Sequence, residues 1–275
     1  MHEPVLLNEV LEALKVRSGG KYIDATVGDG GHSEEILKRG GKVLGIDIDE
    51  GSLKRAREKL EGAILVQGNF VDIERIAKEN GFEQVDGILF DLGYSSSQIE
   101  DESVGLSFSK DQPLDMRLDK NLGVTAADLI NALPEGELTR MFREYGEELH
   151  AKRYAQAIVA RRGLKRLETT KELTDLIVEA SPGRDRLHPA TRVFQALRIA
   201  VNRELENLEL ALPRAARLIL PGGRMAIISF HSLEDRIVKR FGAGVQPELI
   251  RPSEEEISRN PRARSAKLRV FTKLP

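Results

Sequence analysis

The sequence lacks cysteine and tryptophan altogether, and only 5% of its 275 residues are aromatic. Without cysteine there is no disulfide, no zinc site built on thiolates and no cysteine nucleophile. Few aromatic side chains are available to stack on unpaired bases, so a general single-strand nucleic-acid binder is a poor candidate.

Long apolar runs and a strong net charge are also missing. No apolar stretch approaches the length that spans a bilayer, and the amino terminus has no basic segment followed by an apolar one. We therefore expect a cytoplasmic protein. The net charge of -2 gives no overall sign of a nucleic-acid partner, whereas a hydrophobic content of 40% is enough for a large buried core.

The most informative feature that is present is a glycine-rich turn. Tyr22–Ala25 reads as a strand, Gly28–Gly31 as the turn, and a helix is predicted to begin near Ser33. A second predicted strand, Val43–Asp47, ends in a carboxylate. In α/β nucleotide pockets glycines let the backbone approach the ligand, and an acid at the end of the second strand accepts hydrogen bonds from ribose hydroxyls.

The turn departs from two common glycine patterns. It is not the G-x-G-x-x-G of dinucleotide-binding domains, and no lysine followed by serine or threonine marks it as a P-loop. A ligand with a ribose but no pyrophosphate fits best, and S-adenosylmethionine is the commonest such ligand. A glycine-rich turn alone could be an ordinary connection between a strand and a helix. The carboxylate of Asp47 favours the ligand site.

Further strands at Ala63–Val66 and Val85–Asp91 continue an alternation of strands and helices. This alternation predicts a parallel sheet with helices on both faces. From residue 104 to 206 the periodicity is helical instead, with one long helix predicted from Thr191 to about Leu212. We therefore predict an α/β domain formed by residues 1–103 and 207–275, interrupted by a helical insertion.

The alternating pattern resumes after the insertion. A Pro221–Gly223 turn precedes a strand at Arg224–Phe230, a helix is predicted at Leu233–Phe241, and a last strand at Leu268–Thr272. These elements complete the predicted sheet.

Acidic residues end three of the predicted strands. Asp24, Asp47 and Asp91 should converge on one pocket, because ligands bind beyond the carboxyl ends of the strands in doubly wound sheets. Asp91 alone could instead cap a turn. Phe70 follows the third strand at the matching place, where it could flank an adenine ring or be part of the core.

Two histidines are further candidates. His32 follows the glycines, where it is either a solvated residue at a helix N-terminus or a residue whose backbone N–H meets a ligand carboxylate. His231 and Ser232 resemble a catalytic pair, but the sequence places no partner acid beside them. Ser232 could also cap the following helix, with Asp235 as its partner three residues later.

Two stretches are locally basic. Residues 150–203 contain twelve Lys or Arg against five Asp or Glu, and residues 251–275 contain seven against three. Such stretches are either solvated helix surface or contacts for a nucleic-acid backbone. Clustered cations favour backbone binding because they release counterions from the phosphates.

Seven motifs, taken in order, resemble the bacterial small-subunit ribosomal RNA cytosine-N4 methyltransferase family, also known as the MraW or RsmH proteins. They extend over nearly the whole chain, and together they are far more specific than the glycine-rich turn alone. The motifs are HEPVL (2–6), DATVGDGGHS (24–33), GID (45–47), DLGYSS (91–96), PLDMR (113–117), TRVFQALRI (191–199) and ISFHSLEDR (228–236).

The resemblance implies a class I, S-adenosylmethionine-dependent methyltransferase (Rossmann-like) fold with an inserted helical domain that recognises the substrate. It implies methyl transfer to the exocyclic amine of a cytidine in the decoding region of 16S rRNA, within the small ribosomal subunit or its precursor. No membrane partner is expected, and the sequence shows no convincing metal site, although acid pairs could bind magnesium through RNA. The cofactor contacts carried over by matching motif are Gly30, Gly31, His32, Asp47, Phe70, Asp91 and Gln98. Ser97 stands where the family often has proline, which should loosen this loop without moving Gln98.

The lack of cysteine agrees with this chemistry. Methylation at cytosine C5 usually needs a cysteine nucleophile, whereas an exocyclic amine attacks the methyl group directly. The enzyme must then orient the amine and accept its hydrogens, and the target base must leave its stack. Asp91 and backbone carbonyls are candidate acceptors. Further hypothetical residues on the target side are Asp115, Arg117, His231 and Ser232.

Three other functions remain open from the sequence. A nicotinamide-dependent oxidoreductase would also have an acid at the end of the second strand. The lack of a G-x-G-x-x-G pattern in this chain argues against that function. An RNA-binding assembly factor could carry a pocket without activity. A methyltransferase acting on a small molecule would use the same pocket without the ribosome.

Overall fold

The computed structural model describes residues 4–94, 98–99, 101, 103–183, 187–242 and 247–274. The chain forms two compact units, one made of Met1–Ser95 and Leu205–Pro275 and the other of Ser96–Glu204. The two boundaries predicted from the sequence lie after residues 103 and 206. None of the helices in the described ranges is long and apolar enough to cross a membrane.

The first unit is built on a seven-stranded sheet with the strand order β3-β2-β1-β4-β5-β7-β6. Strands β1 to β5 pair in parallel, and β7 runs antiparallel to β5 and β6. The strands are β1 (Lys21–Asp24), β2 (Lys42–Asp47), β3 (Ile64–Gln67), β4 (Val85–Asp91), β5 (Ile219–Ser229), β6 (Glu248–Ile250) and β7 (Lys267–Thr272). The strand order reverses between β1 and β4, which makes their carboxyl ends the ligand-binding edge. This is the predicted Rossmann-like, class I methyltransferase fold.

Helices accompany the sheet in the first unit and make up most of the second. They are α1 (Leu7–Ala13), α2 (Gly31–Lys38), α3 (Glu50–Arg57), α4 (Ile73–Glu79), α5 (Ala126–Ala132), α6 (Glu135–Gly146), α7 (Ala151–Arg162), α8 (Thr170–Ala180), α9 (Ala190–Asn202), α10 (Glu204–Leu218), α11 (Ser232–Phe241) and α12 (Glu254–Arg259). Short 3-10 turns cover Phe70–Asp72 and Pro261–Ser265.

Strand β4 shows why the sequence of the central sheet is almost continuously apolar. Ile88 and Phe90 belong to the core cluster that includes residues of α4 and α10, while Leu89 belongs to the cluster that includes residues of α1 and α2. Successive side chains of a strand point to opposite faces. Because helices cover both faces, Ile88, Leu89 and Phe90 are all buried.

The second unit has its own apolar core, to which helices α5 to α9 contribute, including Phe142, Tyr154 and Leu197. Helices α5 and α8 each begin at a threonine with an acidic residue three positions later. Thr125 and Thr169 form reciprocal capping boxes with those acids. The caps satisfy backbone N–H groups that have no partner inside the helix.

The single long helix predicted from Thr191 to Leu212 is wrong. The structure has two helices, α9 and α10, separated at Arg203, whose backbone is left-handed with φ 52°. The Asn202 amide donates to Met116 O, and its Oδ1 accepts from Leu118 N–H, so side-chain bonds hold the chain at the end of α9. The apolar spacing continues past the break, and no glycine or proline marks it, which is why the pattern missed it.

The last part of the sheet also differs from the prediction. Strand β5 begins at Ile219, so the predicted Pro221–Gly223 turn lies inside it, next to an irregularity in its pairing with β4. The short strand β6 was not predicted. It pairs with β7, and two of its three residues are exposed, so the segment has no apolar alternation to detect.

Candidate cofactor site and active site

The ends of three neighbouring parallel strands bring the predicted acids to one edge of the sheet. Asp24 is in register with Gly45 of β2, and Asp47 ends that same strand. Asp91 ends β4 on the other side of β1. The structure therefore places Asp24, Asp47 and Asp91 as the strand pattern predicts.

Asp47 is held by two backbone groups. Gly28 N–H donates to its Oδ2 at 2.8 Å, and Asp49 N–H donates to its Oδ1 at 2.9 Å. Each carboxylate oxygen keeps a free acceptor direction, which a ribose hydroxyl can use. Burial raises the pKa of Asp47 to about 6; the two N–H donors oppose this shift, and the charges of Asp49 and Asp24 add to it.

The glycine-rich turn has no room for side chains at two positions. Gly30 is left-handed with φ 88°, and a Cβ there would lie 2.8 Å from Leu60 Cδ1. A Cβ on Gly31 would clash with Pro4 Cγ. Residues before α1 and after α3 therefore pack directly against the turn that opens α2, and only glycine fits between them.

His32 is buried, with 5% of its surface exposed, so the alternative of a solvated histidine is wrong. Its Nε2 lies 3.0 Å from Val5 O, and its Nδ1 lies 3.6 Å from Asp91 Oδ2. A carbonyl oxygen only accepts, so the hydrogen is assigned to Nε2. In the neutral ring Nδ1 then turns a lone pair towards the carboxyl group of Asp91.

Asp91 carries the least satisfied carboxyl group of this edge. Its backbone N–H donates to Thr26 Oγ1 at 2.7 Å, which fixes the strand end. Its Oδ1 is buried without a hydrogen-bond partner among the described residues, although the side chain as a whole is 27% exposed. Burial raises its pKa well above the usual value, and the charges of Asp24 and Glu234 raise it further. A buried acceptor without a donor is a place for a substrate hydrogen.

Asp24 bonds with residues on either side of the glycine-rich turn. It is buried, Ser33 Oγ donates to its Oδ2 at 2.7 Å, and Thr26 N–H donates to its Oδ1 at 3.3 Å. These bonds tie the end of β1 to the first turn of α2. Burial raises the pKa of Asp24 to about 6 against the effect of both donors.

Phe70 is half-buried and meets Phe90 edge to face, with ring centroids 5.7 Å apart. Its contact with the core therefore leaves part of the ring exposed. The predicted contact with an adenine ring is compatible with this position.

His231, not Ser232, is the N-cap of α11, so the alternative of a cap formed by Ser232 and Asp235 is wrong. The cap pairs His231 with Glu234, whose Oε2 accepts from the backbone N–H groups of Phe230 and His231 at 2.8 and 3.2 Å. Glu234 also provides the neighbouring acid that the sequence could not place, with Oε1 3.2 Å from His231 Nε2.

Asp235 is used elsewhere. It accepts from Arg269 Nε at 2.7 Å and from Lys267 Nζ at 3.0 Å, both on β7. Two cations of the basic carboxyl-terminal stretch are thus structural.

The second unit contains the other predicted residues. Asp115 accepts from the backbone N–H, Nε and Nη2 of Arg117 at 3.0, 2.8 and 2.9 Å, and Arg117 also donates to Leu122 O. Burial acts to raise the pKa of Asp115, but the hydrogen bonds from Arg117 and the charge of Lys120 bring it below the usual value. Asp115 thus stabilises its own loop, and its catalytic role stays a prediction. Gln98 is buried in this unit, and its cofactor contact likewise stays a prediction; Ser97 lies outside the described residues.

A family model described as the MraW methylase family matches residues 1–248. The chain belongs to this family. A protein of Thermomicrobium roseum is 48% identical over 99% of this chain and 94% of its own length, and one of Carboxydothermus hydrogenoformans is 47% identical over 99% and 98%. Both are named Ribosomal RNA small subunit methyltransferase H.

As a member of the MraW methylase family, the chain is a methyltransferase, as predicted, and the oxidoreductase alternative is not supported. The geometry of the site, taken by itself, also fits S-adenosylmethionine. A Cβ on Gly28 would meet only Thr26 O, at 3.9 Å, so the turn is open at this position, and Asp47 keeps acceptor positions open. Sequence reasoning missed Thr26 and Glu234. Both lie inside the quoted motifs, but only the fold shows which backbone groups they bind.

A pair of substitutions separates the two roles of His231. Asparagine is among the best N-cap residues, so His231→Asn should keep the unfolding free energy within about 0.5 kcal/mol of the wild type. His231→Ala should lose about 1 kcal/mol. If His231 also contacts the target, methyl transfer should fall at least tenfold in both variants. A His231→Asn protein with full activity would leave the residue as a helix cap alone.

Proposed function

We propose that this chain transfers the methyl group of S-adenosylmethionine to N4 of a cytidine in the decoding region of 16S rRNA, in the cytoplasm. The observation that carries the proposal is the arrangement of two carboxylates. Asp47 is fixed by backbone donors, and Asp91, two strands away, offers a buried oxygen that has no partner among the described residues. The names of the full-length relatives support an RNA substrate.

The cofactor would be held by groups already in place. The backbone of Gly30, Gly31 and His32 would meet its amino-acid end, Asp47 its ribose hydroxyls, and Phe70 its adenine. When bound, it supplies a methyl group on a positively charged sulfur. The N-terminus of α2 favours the donor's carboxylate.

Asp91 would act on the target amine. The Oδ1 atom accepts one amine hydrogen and so turns the nitrogen lone pair towards the methyl group. Transfer of the methyl group from sulfur to nitrogen, with the sulfur keeping the electron pair of the broken C–S bond, would leave an extra proton on the nitrogen. The Asp91 carboxylate would take that proton. A raised pKa makes this carboxylate a stronger base than an ordinary aspartate.

Mass spectrometry of 16S rRNA from cells with and without this protein tests the substrate. We expect one cytidine to lose its N4-methyl group when the protein is absent and to regain it on complementation. Complementation with the Asp47→Ala protein should fail, which separates an enzyme from an assembly factor. An unchanged modification map would contradict the substrate, and activity on free cytidine alone would favour a small-molecule enzyme.

We propose that the RNA is bound by exposed cations of the helical unit. Some cations of residues 150–203 have structural tasks, since Arg162 donates to Ile130 O and Leu133 O. Lys152, Arg153 and Arg161 of α7 instead have exposed side chains, and buried residues of the same helix pack into the core. Helix α7 therefore presents a basic face that fits a phosphate backbone.

The double variant Lys152→Gln/Arg153→Gln should bind rRNA about tenfold more weakly, because two phosphate contacts are lost. Each lost contact should also reduce the slope of log affinity against log salt concentration by about 0.7–0.9. Affinity for S-adenosylmethionine should not change. Lys171→Gln is the matched control, since Lys171 is engaged with Asp175 at 2.8 Å. RNA binding measured at several salt concentrations checks this, and equal slopes for all three proteins would contradict it.

Affinity for S-adenosylmethionine should depend on pH through Asp47. The ionised carboxylate accepts from ribose hydroxyls better than the acid does, so the dissociation constant should rise as the pH falls through about 6. Calorimetry at intervals of about one pH unit between pH 5 and pH 8 measures the dissociation constant. Because the charge of Asp24 contributes to the raised pKa, Asp24→Asn should move the transition to lower pH. A flat profile would show that Asp47 does not titrate on binding.

A further inference from the structure

A buried hydrogen bond joins residues from opposite ends of the chain next to the glycine-rich turn. Glu256 Oε1 accepts from Leu6 N–H at 2.7 Å, across 250 residues of sequence. Leu6 is fully buried, and Glu256 is 8% exposed. Glu256 lies in the first turn of α12, where its own N–H donates to the N-cap Ser253 Oγ. Helix α12 thus fixes the position of the carboxylate.

The same peptide unit has a second bond on its other side. Val5 O and Leu6 N–H belong to one trans peptide, so they point in opposite directions. The N–H donates to Glu256, and the carbonyl lies 3.0 Å from His32 Nε2. A donor and an acceptor on one peptide strengthen each other when both are bonded.

The backbone at this peptide is not one that leucine adopts by itself. Leu6 is left-handed with φ 55° and ψ 35°, and it precedes α1 without a side-chain cap. Such conformations persist where surrounding contacts hold them, and they are concentrated at functional sites. Here the contacts are the bond to Glu256 and the bond from Val10 N–H to Leu6 O.

The chain of contacts ends at the reacting group. His32 Nδ1 lies 3.6 Å from Asp91 Oδ2, and Pro4, which precedes the peptide, packs on Gly31. The Val5 carbonyl and Asp91 are thus reached by the two different nitrogens of the His32 ring. The peptide also borders the turn that would carry the cofactor.

We infer that Glu256 is a positioning residue, which acts through the Val5–Leu6 peptide to hold His32 in the Nε2-protonated form with Nδ1 towards Asp91. The role assigned to Asp91 rests on the proposed function, whereas the control of His32 by Glu256 does not. The contacts that join Glu256 to His32 form without RNA, so they can be tested in the free protein.

Long-range proton–nitrogen NMR of the histidine rings tests the inference, with His32 assigned from the spectrum of His32→Gln. Glu256→Leu removes the acceptor, and Glu256→Gln restores one. Glu255→Leu is the matched control, because Glu255 is exposed on the same helix. We expect the Nε2-protonated pattern in the wild type, Glu256→Gln and Glu255→Leu. In Glu256→Leu the two ring nitrogens should give averaged signals.

Methyl transfer provides the second readout. Glu256→Leu should lower kcat at least tenfold with less than a threefold change in the dissociation constant of S-adenosylmethionine. Glu256→Gln should retain most of the wild-type kcat. If Glu256→Leu does not fold, Glu256→Asp withdraws the carboxylate from Leu6 and carries the same test. Unchanged His32 signals in a folded variant would overturn the inference even if rRNA is methylated. Altered His32 signals in a protein that never methylates rRNA would instead overturn the proposed function.

Discussion

The substitution Asp47→Ala is expected to weaken S-adenosylmethionine binding by two to three orders of magnitude. A hydrogen bond to a charged group contributes about 1.5–3 kcal/mol, and two ribose hydroxyls share this carboxylate in the proposed complex. The variant also leaves Gly28 N–H and Asp49 N–H without their acceptor, which loosens the turn that the cofactor touches. Isothermal titration calorimetry at pH 8, where Asp47 is ionised, measures the loss.

The control is another acid of the same sheet at its opposite edge. Asp86 lies near the start of β4 and accepts from Lys21 N–H at 2.8 Å and from Arg17 at 2.6 Å. Asp86→Ala should lower the free energy of unfolding by about 1 kcal/mol and leave the dissociation constant within twofold. If Asp47→Ala binds within threefold of the wild type, the ribose is held by some other group.

The sequence allowed the ligand-binding edge to be predicted because its signals are local. A glycine turn, apolar strands and terminal acids each follow from one stretch of chain, and parallel pairing brings the strand ends together. The Arg203 break depends instead on contacts made only after folding. Asn202 bonds to Met116 and Leu118, which lie more than eighty residues earlier.

The environment of His32 shows the same limit more clearly. Its position after the glycines marked it as a candidate, but its partners are Val5 and Asp91, which come from distant parts of the sequence. No periodicity connects Glu256 with Leu6. A single sequence can therefore name candidate residues for this site, whereas the orientation of each side chain comes from the folded contacts.

The second large effect is expected at Asp91. Asp91→Asn keeps the size of the side chain but cannot take a proton, so kcat should fall by about 10²–10⁴, the usual contribution of a positioned base. The dissociation constant of S-adenosylmethionine should change less than tenfold, because the lost step is proton transfer rather than binding. Single-turnover methylation of rRNA separates the two quantities. A kcat within threefold of the wild type would show that a backbone carbonyl or water accepts the proton instead.

The pH dependence of the same step distinguishes a base from a purely orienting carboxylate. If Asp91 must be ionised to act, the wild-type rate should rise with pH until Asp91 has lost its proton, because burial and the charges of Asp24 and Glu234 raise its pKa. Asp24→Asn removes one of those charges, while its amide can still bond with Thr26 N–H and Ser33 Oγ. The acid limb of the rate profile should then move to lower pH. In Asp91→Asn this limb should disappear, since the remaining slow reaction no longer depends on that proton.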